Sequence, residues 1–290
     1  MELRVLRYFL GVAREQNITA AAESLHVTQP TLSKQLMDLE EELGTKLFLR
    51  GNRKITLTES GEYLRQRAQE IVDLADKTQS SFQSTEKNIS GNVSIGCGET
   101  ERMREIIKVI KSISDEYPDI RFHFYSGNDE DVSMRLNNGL VDFGLFVGNT
   151  NLDKYDYVKL PVYDTWGLLM RKDDRLAEKK TIKPQDLENI TLLCSRQALE
   201  NNELSGWLGK DFKTLNIFST HNLFYNASLM VEEGIGYALS IDGLGNTSGR
   251  NLTFRPLEPF MKADLVFAWK KHRVFSKAAE LFLKRLQETL

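Results

Sequence analysis

The chain has 290 residues, and its 38 lysines and arginines against 41 aspartates and glutamates give a formal net charge of −3. Its apolar fraction of 41% and charged fraction of 27% are those of a soluble globular protein with one large domain or two smaller ones. The sequence has no run of eighteen apolar residues, which excludes a transmembrane helix, and its two cysteines, Cys97 and Cys194, exclude a disulfide framework.

The N-terminal segment has the pattern of an amphipathic helix rather than of a signal peptide, because charges are threaded between its apolar positions. Those positions are Leu3, Leu6, Phe9, Leu10 and Ala13. We therefore expect a protein that stays in the cytoplasm. The net negative charge means that any nucleic-acid partner must be bound by a local cluster of cations.

Residues 17–43 have the pattern of two short helices joined by a tight connection. In the first helix, Ala20, Ala21 and Leu25 can share one face, and the small alanines allow a second helix to approach closely. Thr28 is placed to cap the second helix, and Pro30 falls in its first turn. An inward apolar stripe follows, made of Leu32, Leu36, Leu39 and Leu43.

The outer face of the second helix is polar near its N-terminus. Its side chains can read base edges in a major groove or bind phosphate, and they are Gln29, Thr31, Ser33, Lys34 and Gln35. The alternative is the ordinary solvated face of an amphipathic helix. The next segment favours DNA, since it predicts a two-stranded wing that carries cations without an acidic residue between them: Lys46, Arg50, Arg53 and Lys54.

An ordered series of motifs within residues 2–87 resembles the DNA-binding region of LysR-type transcriptional regulators. It contains an alanine pair before Leu-x-Val-Thr-Gln-Pro, then Leu-Ser-Lys-Gln-Leu, Leu-Glu-x-x-Leu-Gly-x-x-Leu-Phe-x-Arg and Leu-Thr-x-x-Gly. The resemblance implies that Thr19 touches phosphate and that Arg50 and Arg53 are wing contacts. It also implies a major-groove face made of Gln29, Pro30, Thr31, Ser33 and Lys34. Thr28 and Lys54 complete the predicted DNA-binding set.

Residues 59–87 predict one long helix that is capped by Thr58. Its apolar positions alternate at four and three residues, as in a two-stranded coiled coil. We expect pairing with a second copy because the helix stands between two predicted domains with no local core to cover it. The alternative is a helix packed on its own domain. The resemblance also implies dimerisation through this helix, and the predicted contact residues are Leu64, Ala68, Ile71, Ala75 and Phe82.

From Val93 onwards, strands and helices alternate, which predicts parallel α/β units with right-handed crossovers. Two such units suggest two subdomains with a cleft between them. The resemblance implies the fold of periplasmic solute-binding proteins, with the chain crossing near Pro161 and returning near Ala263. One departure from the family is Ser240-Ile241-Asp242, where many members have an apolar residue and a proline.

In open α/β sheets, ligands bind beyond the carboxyl ends of the strands. This rule selects as effector-binding residues Gly98, Glu99, Thr100, Ser126, Phe146, Val147, Gly148, Ser195, Arg196 and Asn222. Hydroxyls at helix N-termini suit a carboxylate or phosphate, whereas Glu99 disfavours an anion, so the sign of the ligand stays open. Helix capping is the alternative role for each of these residues. His221 is expected to cap or pack, since no second metal-ligating residue is suitably spaced.

The predicted fold class is an N-terminal all-α winged helix-turn-helix with a long linker helix, followed by a C-terminal α/β, two-subdomain effector domain like the periplasmic binding proteins. The predicted boundaries are 1–58 for the DNA-binding domain, 59–87 for the linker helix, 88–92 for a hinge and 93–290 for the effector domain. Within the last, subdomain I comprises 93–162 and 263–290, and subdomain II comprises 163–262.

The predicted function is sequence-specific transcriptional regulation, modulated by a small-molecule effector in the cleft. The expected partners are double-stranded DNA with two half-sites of approximate dyad symmetry, and the protein itself as a homodimer; the resemblance favours a tetramer, and RNA polymerase is a candidate partner. No catalytic residue, metal site or cofactor is predicted. The alternatives are a cytoplasmic solute-binding protein and an α/β enzyme, although nucleophile-elbow, P-loop and dinucleotide motifs are missing from the sequence. A redox role for Cys97 and Cys194 stays open.

Overall fold

The structure is a computed structural model that describes residues 1–50, 54–81 and 89–290. The chain divides into two compact units, Met1–Phe82 and Gln83–Leu290. In the part of the chain that is described, no helix combines the length and the apolarity needed to cross a membrane.

The first unit opens with three helices, α1 (Leu3–Glu15), α2 (Ile18–Ser24) and α3 (Gln29–Leu43). The Asn17 side chain caps α2 by accepting hydrogen bonds from the backbone N–H groups of Thr19 and Ala20, at 2.9 and 3.1 Å. Thr28 caps α3 as predicted and is followed by a proline in the first turn. These caps bound the two motif helices on either side of the short connection.

The core of the first unit confirms most of the predicted apolar stripe. Leu32, Leu36 and Leu39 are buried against the apolar face of α1. Leu43 is 40% exposed, so its assignment to the inward stripe was wrong. It occupies the last turn of α3, immediately before the left-handed Gly44 that ends the helix and turns the chain away.

The wing consists of two antiparallel strands, β1 (Phe48–Arg50) and β2 (Ile55–Leu57), so the first unit, which we call the head, is not purely helical. The sequence also predicts a turn at Gly51-Asn52, and these two residues lie outside the described residues. The base of the wing is fixed by Glu40, which is buried in α3 and accepts backbone hydrogen bonds from Leu47 and Phe48 at 2.8 and 3.3 Å. Lys46 donates to the same carboxylate at 2.8 Å.

The fourth helix, α4 (Glu59–Ser81), begins where predicted. The Thr58 hydroxyl donates to the Lys46 carbonyl at 2.7 Å and accepts from the Gly61 N–H at 3.0 Å. A Cβ on Gly61 would lie 2.1 Å from the Leu47 carbonyl oxygen, so only glycine permits this close approach of helix and wing. The glycine of the Leu-Thr-x-x-Gly motif therefore has a steric explanation.

One face of α4 is covered by its own domain. Leu64, Ala68 and Val72 are buried in the same core as α1, and Asp76 on that face pairs with Arg7. The expectation that no local core covers this helix was wrong for its first half. The two predicted contact residues Leu64 and Ala68 are 8% and 0% exposed, which leaves little surface for a partner helix.

The second unit begins with a lobe that we call lobe I. Its elements are β3 (Gly91–Cys97), α5 (Met103–Glu116), β4 (Ile120–Ser126), α6 (Asp129–Asn137) and β5 (Phe143–Val147). Gly91 and Asn92 belong to β3 rather than to the predicted hinge, because they pair in register with β4. Asn88, also assigned to the hinge, lies outside the described residues.

The strand β6 (Tyr155–Arg171) leads from lobe I into lobe II. Lobe II contains β7 (Leu192–Ser195), α7 (Arg196–Glu200), α8 (Ser205–Leu208), β8 (Ile217–His221), α9 (Tyr225–Glu232), β9 (Tyr237–Ile241) and β10 (Leu252–Pro256). The chain returns through β11 (Lys262–Lys270) and ends with α10 (Lys277–Thr289) in lobe I. Short 3-10 helices span Arg175–Glu178, Pro184–Leu187 and Phe212–Thr214.

The described strands of the second unit form one mixed sheet in the order β4-β3-β5-β11-β6-β9-β7-β8, with β10 also paired to β6. The strands β3, β4 and β5 are parallel, as are β7, β8 and β9. The predicted parallel sheet was incomplete, because the crossing strands β6 and β11 run antiparallel to each other and to their neighbours. The crossings predicted near Pro161 and Ala263 fall within these two strands.

Separate apolar cores support the two lobes. Lobe I packs Phe143, Phe267 and Phe282 together at centroid distances of 5.3 to 5.8 Å. In lobe II, the sequence pattern of residues 199–208 predicts one helix, but the structure has two short helices there, α7 and α8. They are separated at Asn202, whose φ of 54° is left-handed and interrupts the helical path.

We expect Glu40→Ala to loosen the base of the wing. The substitution removes the buried acceptor of the Leu47 and Phe48 amides, and a hydrogen bond to a charged group contributes about 1.5–3 kcal/mol. Hydrogen exchange of these two amides should therefore accelerate by about tenfold or more. The control is Glu41→Ala, an exposed neighbour on the same helix; equal exchange rates in the two variants would show that Glu40 does not hold the wing.

Candidate functional site

The N-terminal face of α3 is exposed and polar. Thr28, Gln29, Pro30, Thr31 and Lys34 are exposed, and Ser33 is half-buried. These side chains surround the free N-terminal end of the helix, where backbone N–H groups and the helix dipole favour anions. Thr19, in the first turn of α2, is exposed as well.

The side chains on this face satisfy one another in the absence of a partner. The hydroxyls of Thr28 and Thr31 lie 2.8 Å apart, and the Gln29 amide donates to the Ser33 hydroxyl at 3.0 Å. Such pairs limit the rotamers that each group samples, and they exchange readily for hydrogen bonds to a base or phosphate.

The cations of the wing are not equivalent. Lys46 is paired with the buried Glu40, so its charge is already neutralised within the head. Burial alone raises the pKa of Glu40, but hydrogen bonds from Lys46, Leu47 and Phe48 outweigh burial and lower it, so Glu40 stays ionised. Lys54 is exposed at the start of β2. Arg53 and the side chain of Arg50 lie outside the described part of the chain.

A cavity of about 120 Å3 lies between lobes I and II, beyond the carboxyl ends of the parallel strands. Hydrogen bonds join the lobes around it. The backbone N–H of Asp129 donates to Gln197 Oε1 at 2.9 Å, and that of Phe224 donates to Glu99 Oε2 at 2.6 Å. Strand ends of both lobes therefore converge on one space between the lobes.

The structure brings six of the ten predicted effector-binding residues to this cavity: Gly98, Glu99, Phe146, Val147, Ser195 and Asn222. The other four do not line this cavity. The Thr100 hydroxyl donates to buried Asp164 at 2.7 Å, and Arg196 points outward and pairs with Glu200. Ser126 lines an outer groove, and Gly148, whose φ of 84° is left-handed, lies beneath the Glu203 carboxylate in a neighbouring groove.

The cavity wall is acidic. Glu99, Asp129 and Glu203 line it, and none of the described lining residues is a lysine or an arginine. Burial raises the pKa of Glu203 to about 7, and the nearby charge of Asp129 adds to this effect. Burial also raises the pKa of Asp129, against a hydrogen bond from the Thr150 hydroxyl at 3.2 Å. These carboxyls are short of positive partners.

Aromatic and neutral groups complete the wall. Trp166, Phe146 and Phe224 line it together with His221. Burial lowers the pKa of His221 to about 4, so the ring is neutral, and its Nδ1 is buried without a hydrogen-bond partner in the structure. Among the described residues, no group of three or more potential metal ligands occurs, and His221 packs edge-on against Phe224 at 5.6 Å.

Sequence reasoning missed the residues that give the cavity its charge and shape, namely Asp129, Glu203, Trp166 and Gln197. Asp129 follows a strand by three residues, so the strand-end rule would have found it with a wider window. Glu203 has no such signal. It reaches the cavity only because the segment between α7 and α8 is broken at Asn202.

A charged network spans the lobes next to the cavity. Arg102 pairs with Asp242 at 2.7 Å and with Asp164 at 3.3 Å, and Asp242 accepts the Thr165 N–H at 2.6 Å. Asp164 is fully buried in β6. Asp242, where this sequence departs from the LysR pattern, thus ties lobe II to Arg102 of lobe I.

The two cysteines are buried in different cores, Cys97 in that of lobe I and Cys194 in that of lobe II. Burial raises the pKa of both thiols, to about 11 for Cys194. A thiol reacts through its thiolate, so neither environment promotes redox chemistry.

A second exposed feature lies on α4. Tyr63, Ile71 and Leu74 are 66%, 41% and 41% exposed and form an apolar stripe beside the buried face. We call these three residues the α4 stripe. Of the other predicted contact residues, Ala75 is half-buried, and Phe82 lies outside the described residues.

Comparisons with known proteins agree with this architecture. Residues 3–62 match the family described as bacterial regulatory helix-turn-helix protein, lysR family, and residues 86–290 match the LysR substrate binding domain. The Hca operon transcriptional activator HcaR of Escherichia coli (strain K12) is 27% identical over 294 residues, covering 100% of this chain and 98% of its own. The regulator BudR of Klebsiella aerogenes is 36% identical over 143 residues, covering 49% of this chain and 100% of its own.

A likeness of fold extends over the whole chain. The crystal structure of full-length CbnR complexed with the target DNA matches with a TM-score of 0.76 at 19% identity and covers 100% of both chains. The two family models cover most of the sequence, and the protein therefore belongs to the LysR family. It is a DNA-binding transcriptional regulator with a substrate-binding effector domain.

The buried Asp164 should make the second unit less stable as pH rises. Burial raises its pKa to about 6, above the ordinary unfolded value of about 3.9, so the folded state binds the extra proton and is favoured at low pH. Relative to Asp164→Asn, the wild type should lose about 1.4 kcal/mol of unfolding free energy between pH 5 and pH 8.

Urea unfolding followed by tryptophan fluorescence measures this difference, since Trp166, Trp207 and Trp269 all lie in the second unit. Asp156→Asn, on the exposed part of the same strand, is the control. The same pH dependence in wild type and Asp164→Asn would contradict the assignment.

Proposed function

We propose that the chain regulates transcription by placing α3 in the major groove of duplex DNA and by reporting a small molecule bound between lobes I and II. The observation that carries the DNA role is the exposed polar N-terminus of α3, beside a wing whose base is fixed by Glu40. The family supplies the regulatory context.

Within this proposal, Gln29, Thr31, Ser33 and Lys34 read bases, whereas the hydroxyl and helix-end donors near Thr19 and Thr28 bind phosphate. Lys54, together with Arg50 and Arg53, places positive charge on the flanking backbone. CbnR, which shares the fold, has been crystallised in complex with its target DNA. Its occurrence on DNA supports the same partner for this chain.

We further propose that two copies associate through the α4 stripe, so that two heads meet two half-sites of approximate dyad symmetry. The three side chains are apolar and exposed, and Arg67 lies between Tyr63 and Ile71 on the same side of the helix. A dimer binds more tightly than one head because the second contact is intramolecular. Assembly of dimers into a tetramer, and contact with RNA polymerase, are further parts of the proposal.

The effector acts, in this account, by favouring one arrangement of lobes I and II. A ligand shifts such an equilibrium only by its difference in affinity for the two arrangements, and coupling of about 1–3 kcal/mol changes operator occupancy several-fold to a hundred-fold. We propose that the protein works in the cytoplasm and that the cavity binds its ligand without converting it. The cavity holds acids but no activated nucleophile among its described residues.

Salt-dependent DNA binding tests the proposal. Fragments selected from genomic DNA with the full-length protein should bind with an affinity that falls steeply as salt rises. Lys54→Ala should weaken binding to every fragment to a similar degree and reduce the salt slope by about 1. The control is Lys111→Ala, which removes an exposed lysine from the second unit. If no duplex binds at low salt, the chain does not act through its head.

Leu74→Glu should separate the dimer, because a carboxylate in an apolar interface loses hydration without gaining a partner. Sedimentation of the full-length protein should show a shift toward the monomer and at least tenfold weaker binding to a two-half-site fragment. Gln66→Glu, on the polar side of α4, is the matched control. Unchanged sedimentation of Leu74→Glu would place the interface elsewhere.

A further inference from the structure

We propose that the cavity between lobes I and II takes a small organic cation of the amine or ammonium class, held by the Glu203 and Asp129 carboxylates beside the indole of Trp166. The inference rests on the proposed function, which assigns the effector to this cavity. It adds the chemical class of the ligand. The sequence alone did not decide whether the ligand is an anion or a cation.

The wall of the cavity carries negative charge, which favours a cation. Three carboxyls line the cavity from both lobes, Glu99 and Asp129 from lobe I and Glu203 from lobe II. Glu203 reaches across to Gly148, with its Oε2 only 3.6 Å from the position that a Cβ would take there. An anionic ligand would face all three acids, whereas a cation supplies the counter-charge that the wall lacks.

The backbone donors around the cavity that would suit an anion already donate to oxygens of the protein. The N–H groups of Asp129 and Phe224 donate to Gln197 and Glu99 across the lobes. The N–H of Asp131 donates to the Asn128 side chain at 2.9 Å, and that of Ala198 to the Ser195 hydroxyl at 3.4 Å. A carboxylate ligand would have to displace the protein's own oxygens to reach these helix ends.

The remaining wall groups suit a cation. Trp166 presents an aromatic surface in the cavity, and indole is the best aromatic partner of a cation. His221 is neutral, and its Nδ1 has no partner in the described structure, so it can accept an N–H from the ligand. The positive charge of such a ligand would oppose the effect of burial and of the Asp129 charge, which together raise the pKa of Glu203.

The volume of the cavity limits the size of the ligand. The cavity of about 120 Å3 is somewhat smaller than the roughly 150 Å3 that holds a single benzene ring, so the ligand is a small molecule of about five to eight non-hydrogen atoms. Two lysines, Lys159 and Lys262, line a neighbouring outer groove that also reaches Glu203. Lys262 is paired with Asp264, and the pKa of Glu203 remains raised despite both lysines.

Two matched sets of probes test the charge directly on the full-length protein: benzylamine, benzyl alcohol and benzoate, and butylamine, butanol and butanoate. Calorimetric titration at pH 8 should rank amine above alcohol above carboxylate in each set, with the amine at least tenfold tighter than its carboxylate. Carboxylates that bind as tightly as the amines, or six probes that all fail to bind, would overturn the proposal.

Variants locate the preference. Glu203→Gln and Asp129→Asn should each reduce amine affinity about tenfold and leave the alcohols within about twofold. Glu200→Gln and Glu130→Gln are the matched controls, since each removes an exposed carboxylate next to the one tested. Thermal unfolding of each variant confirms that it is folded. An amine preference that survives in both cavity variants would place the cation elsewhere.

Affinity for the amines should rise about tenfold from pH 6 to pH 8. Glu203 must be ionised to hold a cation, and its pKa is about 7. Asp129 faces it and also has a raised pKa. His221 is neutral throughout this range, and Glu99 accepts a hydrogen bond from the Phe224 N–H. Glu203→Gln should flatten this dependence. DNA binding measured on the same samples tests the proposed function separately from the ligand class. If DNA binding depends steeply on salt but the cavity shows no preference for amines, only the proposed ligand class is contradicted.

Discussion

Asp164 lies fully buried in the middle of β6, where lobes I and II share one sheet. Burying a carboxyl costs free energy unless polar groups surround it, and here the Thr100 hydroxyl and the Arg102 guanidinium do so from lobe I. Arg102 also pairs with Asp242 of lobe II. The arrangement of the two lobes is therefore tied to one arginine and two acids at the edge of the cavity.

This link between the lobes explains how a ligand in a small cavity can change the arrangement of lobes I and II. The long strands β6 and β11 keep the lobes in one sheet, and polar contacts between described residues also join the lobes around the cavity: Asp129 with Gln197, Phe224 with Glu99, and Arg102 with its acids. Polar contacts of this kind break and re-form at lower cost than an apolar core, because water can replace each partner. A ligand that neutralises the acids of the cavity therefore changes the relative stability of these contacts between the lobes.

The head uses a buried acid in a different way. Glu40 is ionised, but it is satisfied by two backbone donors and Lys46, so it fixes the wing on α3. Lys46, which the sequence analysis included among the cations of the wing, has its charge paired with Glu40 and is less available to DNA. A rigid base beneath an exposed reading face reduces the entropy lost on binding, which favours recognition by shape and hydrogen bonding.

Much of the fold was predictable because it depends on local signals. Caps at Thr28 and Thr58, the proline of α3 and the alternation of strands and helices are all short-range patterns. Other features depend on tertiary contacts that no spacing reveals. The cover of Leu64 and Ala68 by α1, the reach of Glu203 over Gly148 and the capture of Thr100 by Asp164 require segments that are distant in sequence.

The central claim is that DNA binding by the head and ligand binding between the lobes are coupled. Linkage requires such coupling to be reciprocal, so DNA must act on the cavity as the ligand acts on DNA. The most direct measurement is hydrogen exchange of the Asp129 and Phe224 amides, which cross the cavity, in full-length protein with and without a selected duplex. The account predicts that duplex DNA changes their exchange rates several-fold; rates that stay the same on saturated DNA would contradict it.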